Sequence, residues 1–191
     1  DSADRARVEE VVKAAVDTFG SIDVIVNNGQ AIVPSAPVED TTYENMLAAW
    51  QSGTIGSLNY MQAAFPYMKE QHEGRIINFA SATGMFGIAG QLAYGSNKEA
   101  LRGLTKIAAK EWGQYGICVN VVLPGAESPA AKAWAEKFPE EYQKQVMLNP
   151  MHRFGDPEDD IAPVVAFLAG PDSCYFSGQS VIVDGANSIM P

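Results

Sequence analysis

Four short apolar runs constrain the fold of this chain more than any other feature. They occupy residues 22–29, 75–80, 117–125 and 178–185, and stretches with helical periodicity separate them. Runs of this length, bounded by Asn, Ser or Gly, are typical of buried strands. Strands separated by helices pair in parallel, because a parallel crossover needs a dozen or more residues. The sequence therefore predicts an α/β fold with a doubly wound, mostly parallel sheet.

The connecting segments predict helices with recognisable ends. Residues 5–19 carry apolar side chains at helical spacing. A long second helix begins at Thr41, with Glu44 three residues later in a capping-box pattern. A third helix covers residues 94–113, and Asp156 caps a later one. These helices are expected to cover the sheet.

A Tyr–Lys pair on the third predicted helix carries the clearest chemical signal. Tyr94 and Lys98 are four residues apart, so their side chains share one helix face and can reach the same ligand. Ser81 closes the second apolar run, at a strand's carboxyl end, where ligands bind in open parallel sheets. We expect the Lys98 ammonium to favour the phenolate and so lower the pKa of Tyr94. Such a pair also occurs on ordinary helix surfaces, so spacing alone does not establish a site.

The order of motifs along the chain resembles that of the classical short-chain dehydrogenases/reductases. The resemblance covers nearly the whole chain and rests on Asn27-Asn28, Ser81, Tyr94, Lys98, Pro124-Gly125 and Asp184-Gly185. It implies a single Rossmann-type α/β domain over residues 1–191. It also implies a short-chain alcohol dehydrogenase or carbonyl reductase that uses NAD or NADP. Such an enzyme moves a hydride between the nicotinamide and an alcohol or carbonyl substrate.

The same resemblance assigns catalytic roles to three residues. Tyr94 would be the acid/base of the reaction. Lys98 would lower the pKa of Tyr94 and hold the nicotinamide ribose. Ser81 would orient the substrate oxygen.

The resemblance also implies cofactor contacts. Asn27 would line the cofactor cleft through its backbone, while Pro124 and Gly125 would contact the nicotinamide. Asp1 would reach the adenine. Tyr94 and Lys98 complete the set of cofactor-binding residues, and no metal site is predicted.

The family's opening strand and its TGxxxGxG glycine turn do not occur in these 191 residues. Asp1-Ser2-Ala3-Asp4 resembles the end of the family's third strand, so about 60 residues of the usual fold would precede residue 1. We expect the sequence to lack the amino-terminal βαβ portion of a longer chain, because a sheet cut beside its central strand exposes a hydrophobic edge. The residue that distinguishes NAD from NADP belongs to that portion.

Three positions depart from the family pattern. Gly53 stands where an asparagine usually holds a relay water, with Ser52 as a neighbouring substitute. Gln30 brings a polar side chain to the cleft, where backbone usually approaches closely. The threonine expected after Pro-Gly is displaced, since Ser128 stands one position early and Pro129 takes its place.

Two other classes of function remain as alternatives. A cofactor-independent lyase of the halohydrin dehalogenase type would suit the missing glycine turn, but those enzymes typically carry arginine at the position of Lys98. A non-catalytic oligomeric scaffold would have no need to keep Ser81, Tyr94 and Lys98 together. The oxidoreductase therefore remains the favoured hypothesis.

Residues 126–150 differ in composition from the rest of the chain and predict no strand. The resemblance implies a small substrate-covering lobe here, over an alcohol or ketone substrate. In the same family the long helices after Thr41 and around Tyr94 pack across subunits. A homodimer or homotetramer is therefore expected.

Composition limits the partners and the compartment. Hydrophobic residues make up 47% of the chain, enough for a folded core. The net charge of -10 argues against nucleic acid and anionic membranes as partners. Cys118 and Cys174 lack the spacing of a disulfide framework and indicate free thiols. We therefore expect a cytoplasmic protein.

Overall fold

The computed structural model describes residues 1–189, apart from the side chain of Ala130. Its sheet has four strands in the order β1 (Val24–Asn27), β2 (Gly74–Phe79), β3 (Ile117–Pro124) and β4 (Ser180–Val183). All three neighbouring pairs are parallel, and the register sets Asn27 beside Asn78 and Asn78 beside Val121. The predicted parallel α/β sheet is confirmed.

Eight α-helices precede, connect or follow these strands within the described residues. They are α1 (Arg5–Phe19), α2 (Tyr43–Trp50), α3 (Gly56–Gln71), α4 (Ala82–Phe86), α5 (Leu92–Trp112), α6 (Pro129–Lys137), α7 (Pro139–Leu148) and α8 (Ala162–Ala169). Short 3-10 turns cover Val38–Asp40, Gly113–Tyr115 and Pro171–Ser173.

Successive strand residues point to opposite faces of the sheet, and helices pack against apolar residues on both faces. On one face, Ile25, Ile76 and Val119 pack against apolar residues of α1, α3 and α5. On the other, Ile77 and Val122 pack against Leu168 of α8. The carboxyl ends of the strands stay open between these layers, and the candidate site lies at that edge.

The long second helix begins one residue later than predicted. Thr42, rather than Thr41, is the N-cap, and its hydroxyl accepts a hydrogen bond from the Asn45 amide. Thr41 instead closes the preceding 3-10 turn, where its hydroxyl donates to the Pro37 carbonyl. The helix then continues through a π-helical turn, Gln51–Ile55, into α3.

Residues 126–149 contain α6 and α7 and contribute no strand to the sheet, as predicted. Ser128 caps α6, with its hydroxyl accepting from the Ala131 amide, and Pro129 fills the first helical position. Proline suits that position because its missing N–H would have no intrahelical partner there. The departure at Pro129 therefore has a local structural reason. Asp156 caps the π-helical turn Pro157–Ile161 that leads into α8, as predicted.

Candidate active site

A cleft opens at the carboxyl ends of β2 and β3, beside the first turns of α5. Ser81, Tyr94 and Lys98 line it together with Pro124. The remaining lining residues are Asn28, Gln30, Ile32, Phe79, Ala80, Ala126, Ser128 and Pro129. The structure thus brings the three predicted catalytic residues together.

Ser81 is fixed where β2 gives way to α4. Its backbone is extended, and its hydroxyl accepts a hydrogen bond of 3.2 Å from the Thr83 amide. This N-cap holds the serine hydroxyl at the edge of the cleft. The capping interaction uses one lone pair of Oγ, which leaves the hydroxyl hydrogen for another partner.

Tyr94 lies in the first turn of α5. Burial raises the pKa of its phenol above the ordinary value, and a hydrogen bond with the Ser81 hydroxyl offsets part of that rise. The Lys98 ammonium lies 5.7 Å from the centre of the Tyr94 ring. The predicted lowering of the Tyr94 pKa by Lys98 is wrong for this structure, because burial of the phenol has the larger effect.

Lys98 is 6% exposed and points along α5 towards the end of β2. Its Nζ donates a hydrogen bond of 2.7 Å to the Phe79 carbonyl oxygen. Burial lowers the pKa of this ammonium from 10.5 to about 8. The side chain is therefore still charged at neutral pH, although less firmly than an exposed lysine.

The predicted cofactor residues do not all meet in this cleft. Pro124 lines it, whereas Gly125 is not among its lining residues. A Cβ added to Gly125 would lie 2.6 Å from Cβ of Asp184, so only glycine fits there without rearrangement. The Pro-Gly turn after β3 can thus pass close to β4.

Asn27 and Asp1 lie away from the cleft of Tyr94. The Asn27 side chain is buried and donates a hydrogen bond of 2.9 Å to Oδ1 of Asn78, which ties β1 to β2. Asn27 and Ser2 line a separate groove along β1, while Asn28 lines both the groove and the cleft. The exposed Asp1 accepts a hydrogen bond from the Ala3 amide.

The positions that depart from the family pattern fall into different places. Gln30 lines the cleft, as predicted from its replacement of a small residue. Ser52 lies in the groove along β1, where its hydroxyl donates to the Ala48 carbonyl and accepts from the Ala31 amide. Ser52 is therefore engaged away from the cleft.

Sequence reasoning missed Asn97. This residue is fully buried in α5, next to Lys98, and its side chain bonds to Thr54 and Gln30. Two features of the sequence could have pointed to Asn97. It is an amide residue between Tyr94 and Lys98, and the chain has Gly53 where the family usually has an asparagine.

Two kinds of feature are absent from the described residues. Among residues 1–189, no group of three or more His, Cys, Asp or Glu side chains is arranged to hold a metal ion. Across the same residues, no helix has the length and apolar character needed to cross a membrane.

The chain matches a family model described as enoyl-(acyl carrier protein) reductase over residues 1–186. It is 40% identical over 185 residues to a 12alpha-hydroxysteroid dehydrogenase of Clostridium sp., covering 97% of this chain and 71% of that protein. It is 38% identical over 184 residues to a 3-oxoacyl-(acyl-carrier-protein) reductase of Thermotoga maritima, and the match covers 95% of this chain and 72% of that protein. A diacetyl reductase of Staphylococcus aureus is 35% identical over 203 residues, with 97% and 75% covered.

Solved structures also match nearly the whole chain. A levodione reductase crystal structure matches with a TM-score of 0.91 at 31% identity, covering 97% of this chain and 74% of that one. The structure of ElxO with NADP bound matches with a TM-score of 0.92 at 29% identity, with 98% and 75% covered. The relatives whose names state an activity are three reductases and one dehydrogenase, which favours the oxidoreductase over the lyase and scaffold alternatives. The chain belongs to the short-chain dehydrogenase/reductase family of NAD(P)-dependent oxidoreductases.

Proposed function

We propose that Tyr94 is the acid/base of a hydride transfer between nicotinamide and an alcohol or ketone, with Ser81 and Lys98 as its partners. One observation carries this proposal: the three side chains line a single cleft at the open edge of a parallel sheet. Ligands of such sheets bind outside the carboxyl ends of the strands.

The raised pKa of Tyr94 fits an acid that donates a proton during carbonyl reduction. At neutral pH the phenol is protonated, so it can give its proton to the oxygen of a carbonyl that gains a hydride. With substrate bound, the Ser81 hydroxyl, fixed by the α4 cap, would donate its one hydrogen to the same oxygen instead of to Tyr94 and hold that oxygen near the phenol. In the direction of alcohol oxidation, Tyr94 accepts the proton back.

Lys98 has the donors that a ribose requires. Its ammonium carries three protons, and the Phe79 carbonyl accepts one of them. No other hydrogen-bond partner of Nζ lies among residues 1–189, so two protons are left for the hydroxyl groups of a nicotinamide ribose. When bound, NAD(P) supplies or accepts the hydride, while the side chains of this chain orient the substrate and move the proton.

The remaining cofactor contacts extend from the cleft along the edge of the sheet. Pro124, which lines the cleft, would contact the nicotinamide, and Gly125 allows the turn after β3 to pass close to β4. Asn28 joins the cleft to the groove along β1, so Asn27 would contact the cofactor through its backbone. Asp1 would reach the adenine, next to Ser2 of that groove.

We further propose that residues 126–150 form a substrate-covering lobe of a single domain that spans residues 1–191. Contacts among aromatic residues support this proposal. The ring centre of Tyr142 lies 5.8 Å from that of Trp134 and 5.4 Å from that of Phe154. The first residues of the lobe, Ala126, Ser128 and Pro129, line the cleft. The lobe would therefore shape the pocket for a small alcohol or ketone.

The assembly that we propose is a cytoplasmic homodimer or homotetramer. Exposed apolar side chains on α2, the π-helical turn and α5 support such an assembly, namely Leu47, Ile55, Leu92 and Ile107. The two cysteines, both free thiols, support a reducing compartment.

A coenzyme and substrate test decides the proposed function. NADH and NADPH binding is measured by fluorescence, and turnover is then followed by nicotinamide absorbance. The substrates are hydroxysteroids, 3-oxoacyl thioesters and diacetyl, the compounds that the relatives' names indicate. We expect coenzyme binding and turnover of at least one compound. Coenzyme binding without turnover of any alcohol or ketone would contradict the proposal.

A further inference from the structure

Asn97 connects α5 to the π-helical turn between α2 and α3. Its side chain is 0% exposed. Oδ1 of Asn97 accepts a hydrogen bond of 2.8 Å from the Thr54 amide and one of 2.7 Å from the Thr54 hydroxyl. The helix that carries Tyr94 and Lys98 is therefore fixed to its neighbour one residue before Lys98.

The same amide occupies the space beside Gly53. A Cβ added at Gly53 would lie 2.3 Å from Nδ2 and 2.5 Å from Oδ1 of Asn97. Contacts this short force a rearrangement, so a side chain at position 53 and the observed Asn97 exclude each other. An amide reaching across from α5 thus fills the space that a residue at position 53 would otherwise use.

The hydrogen-bond pattern fixes the orientation of this amide. A backbone N–H can only donate, so the Asn97 oxygen must face Thr54 and the Asn97 nitrogen must face away from it. Nδ2 of Asn97 then donates a hydrogen bond of 3.0 Å to Oε1 of Gln30. The Gln30 amide is oriented in turn, with Nε2 buried and lacking a partner among the described residues.

Gln30 extends this chain of hydrogen bonds to the cleft. It lines the cleft together with Ser81, Tyr94 and Lys98. A buried donor without an acceptor is unfavourable, and the hydrogen bond from Nδ2 of Asn97 to Oε1 holds the Gln30 amide in this orientation. The position of Gln30 on the cleft wall therefore depends on Asn97.

We propose that Asn97 is a positioning residue for the hydride-transfer reaction, and that it acts as one unit with Gly53. It fixes α5 beside Lys98 and holds Gln30 on the cleft wall. This inference rests on the proposed function of Ser81, Tyr94 and Lys98. Asn97 itself does not line the cleft.

Exchanging the two residues tests the proposal. Asn97→Ala removes the amide, Gly53→Asn introduces an amide where Asn97 already lies, and the double variant Gly53→Asn/Asn97→Ala moves the amide to the other helix. We expect each single variant to lower kcat by about 10- to 100-fold, because small displacements of catalytic groups have effects of this size. The KM for the coenzyme should stay within about threefold for Asn97→Ala. The double variant should recover kcat to within about tenfold of the wild type.

Thr105→Ala is the matched control. Thr105 is also a fully buried polar residue of α5, and its hydroxyl accepts from Nδ2 of Asn78, away from the cleft. The control should lower the melting temperature without lowering kcat of the folded enzyme. An equal loss of kcat in the control would assign the effect of Asn97 to general destabilisation and would overturn the proposal.

Two results of the exchange would also overturn it. One is an Asn97→Ala enzyme with kcat within twofold of the wild type. The other is a double variant whose fold-loss in kcat equals the product of the two single losses, since that product is expected only for independent residues. Absence of turnover in the wild type would instead contradict the proposed function and, with it, the positioning role. The melting temperatures of the four proteins would still report whether positions 53 and 97 are coupled.

Discussion

Lys98 donates a 2.7 Å hydrogen bond from Nζ to the carbonyl oxygen of Phe79, the last residue of β2. This bond connects the catalytic helix to the strand that leads to Ser81. The Lys98 ammonium is buried at this position, and burial lowers its pKa from 10.5 to about 8. A buried cation at this position lowers the free energy of unfolding at neutral pH.

Lys98→Met is expected to stabilise the fold at pH 7. Because the folded-state pKa lies below the unfolded value, the unfolded chain binds more protons between about pH 8 and 10.5, and wild-type stability rises with pH there. A fall in pKa from 10.5 to about 8 corresponds to about 3 kcal/mol, as an upper figure. The free energy of unfolding at pH 7 should therefore rise by about 1–3 kcal/mol, and activity should be lost.

Lys106→Met provides the control for that measurement, since Lys106 is exposed on the same helix. Denaturant unfolding of the three proteins at pH 7 and pH 10 gives the comparison. The gain from Lys98→Met should shrink at pH 10, whereas Lys106→Met should change little at either pH. A loss of stability for Lys98→Met at pH 7 would contradict the burial argument.

The pH dependence of activity should also reflect Lys98. Its ammonium is present below about pH 8, so kcat/KM for reduction should be constant below that value and fall above it. Arginine keeps its charge to a much higher pH, so in Lys98→Arg the fall should move upwards even if the maximal rate is lower. If kcat/KM falls at the same pH in Lys98→Arg as in the wild type, the fall belongs to the titration of another group.

Ser81 has two roles that can be separated. Ser81→Ala removes the α4 cap, which is worth about 1 kcal/mol, and also the hydroxyl that contacts Tyr94. Thr42→Ala removes a similar cap on α2 without affecting the cleft. Both variants should lose similar stability, but only Ser81→Ala should lower kcat, by about 100-fold. Equal activity of the two variants would limit Ser81 to a structural role.

The fold was largely predictable because its signals are local. Apolar runs and helical spacing identified all four strands and the order of the long helices. The helix that begins at Thr42 was placed one residue early, because either of two adjacent threonines could cap it. Only the preceding 3-10 turn, which engages Thr41, distinguishes them.

The candidate site was predictable only in part. Ser81, Tyr94 and Lys98 belong to an ordered motif, so their meeting in one cleft was expected. The pKa of Tyr94 depends on how deeply the folded chain buries the phenol, and spacing carries no such information. The contact of Asn97 with Gly53 joins residues more than 40 positions apart and follows from helix packing alone.

Tyr142 is expected to stabilise the lobe through Glu127. Its hydroxyl donates a 2.5 Å hydrogen bond to Oε1 of Glu127, and this bond raises the pKa of Tyr142 to about 12. Tyr142→Phe should raise the substrate KM about threefold to tenfold, in line with about 1 kcal/mol for one hydrogen bond. The value of kcat should change by less than about twofold.

Steady-state kinetics over pH 6–9 checks this effect, which should not vary with pH, because Tyr142 stays protonated throughout. Tyr175→Phe, in an exposed loop, serves as the control and should leave KM unchanged. A loss in kcat with constant KM would mean that the lobe does not act on substrate binding.

Comparison of the wild type with Tyr94→Phe tests whether Tyr94 is the acid/base of the reaction. Turnover is followed by nicotinamide absorbance, and coenzyme binding is measured by fluorescence on the same two proteins. We expect Tyr94→Phe to bind the coenzyme within about threefold of the wild type and to lose at least about 100-fold in kcat. A Tyr94→Phe enzyme with kcat within tenfold of the wild type would contradict the assignment of Tyr94 as the acid/base.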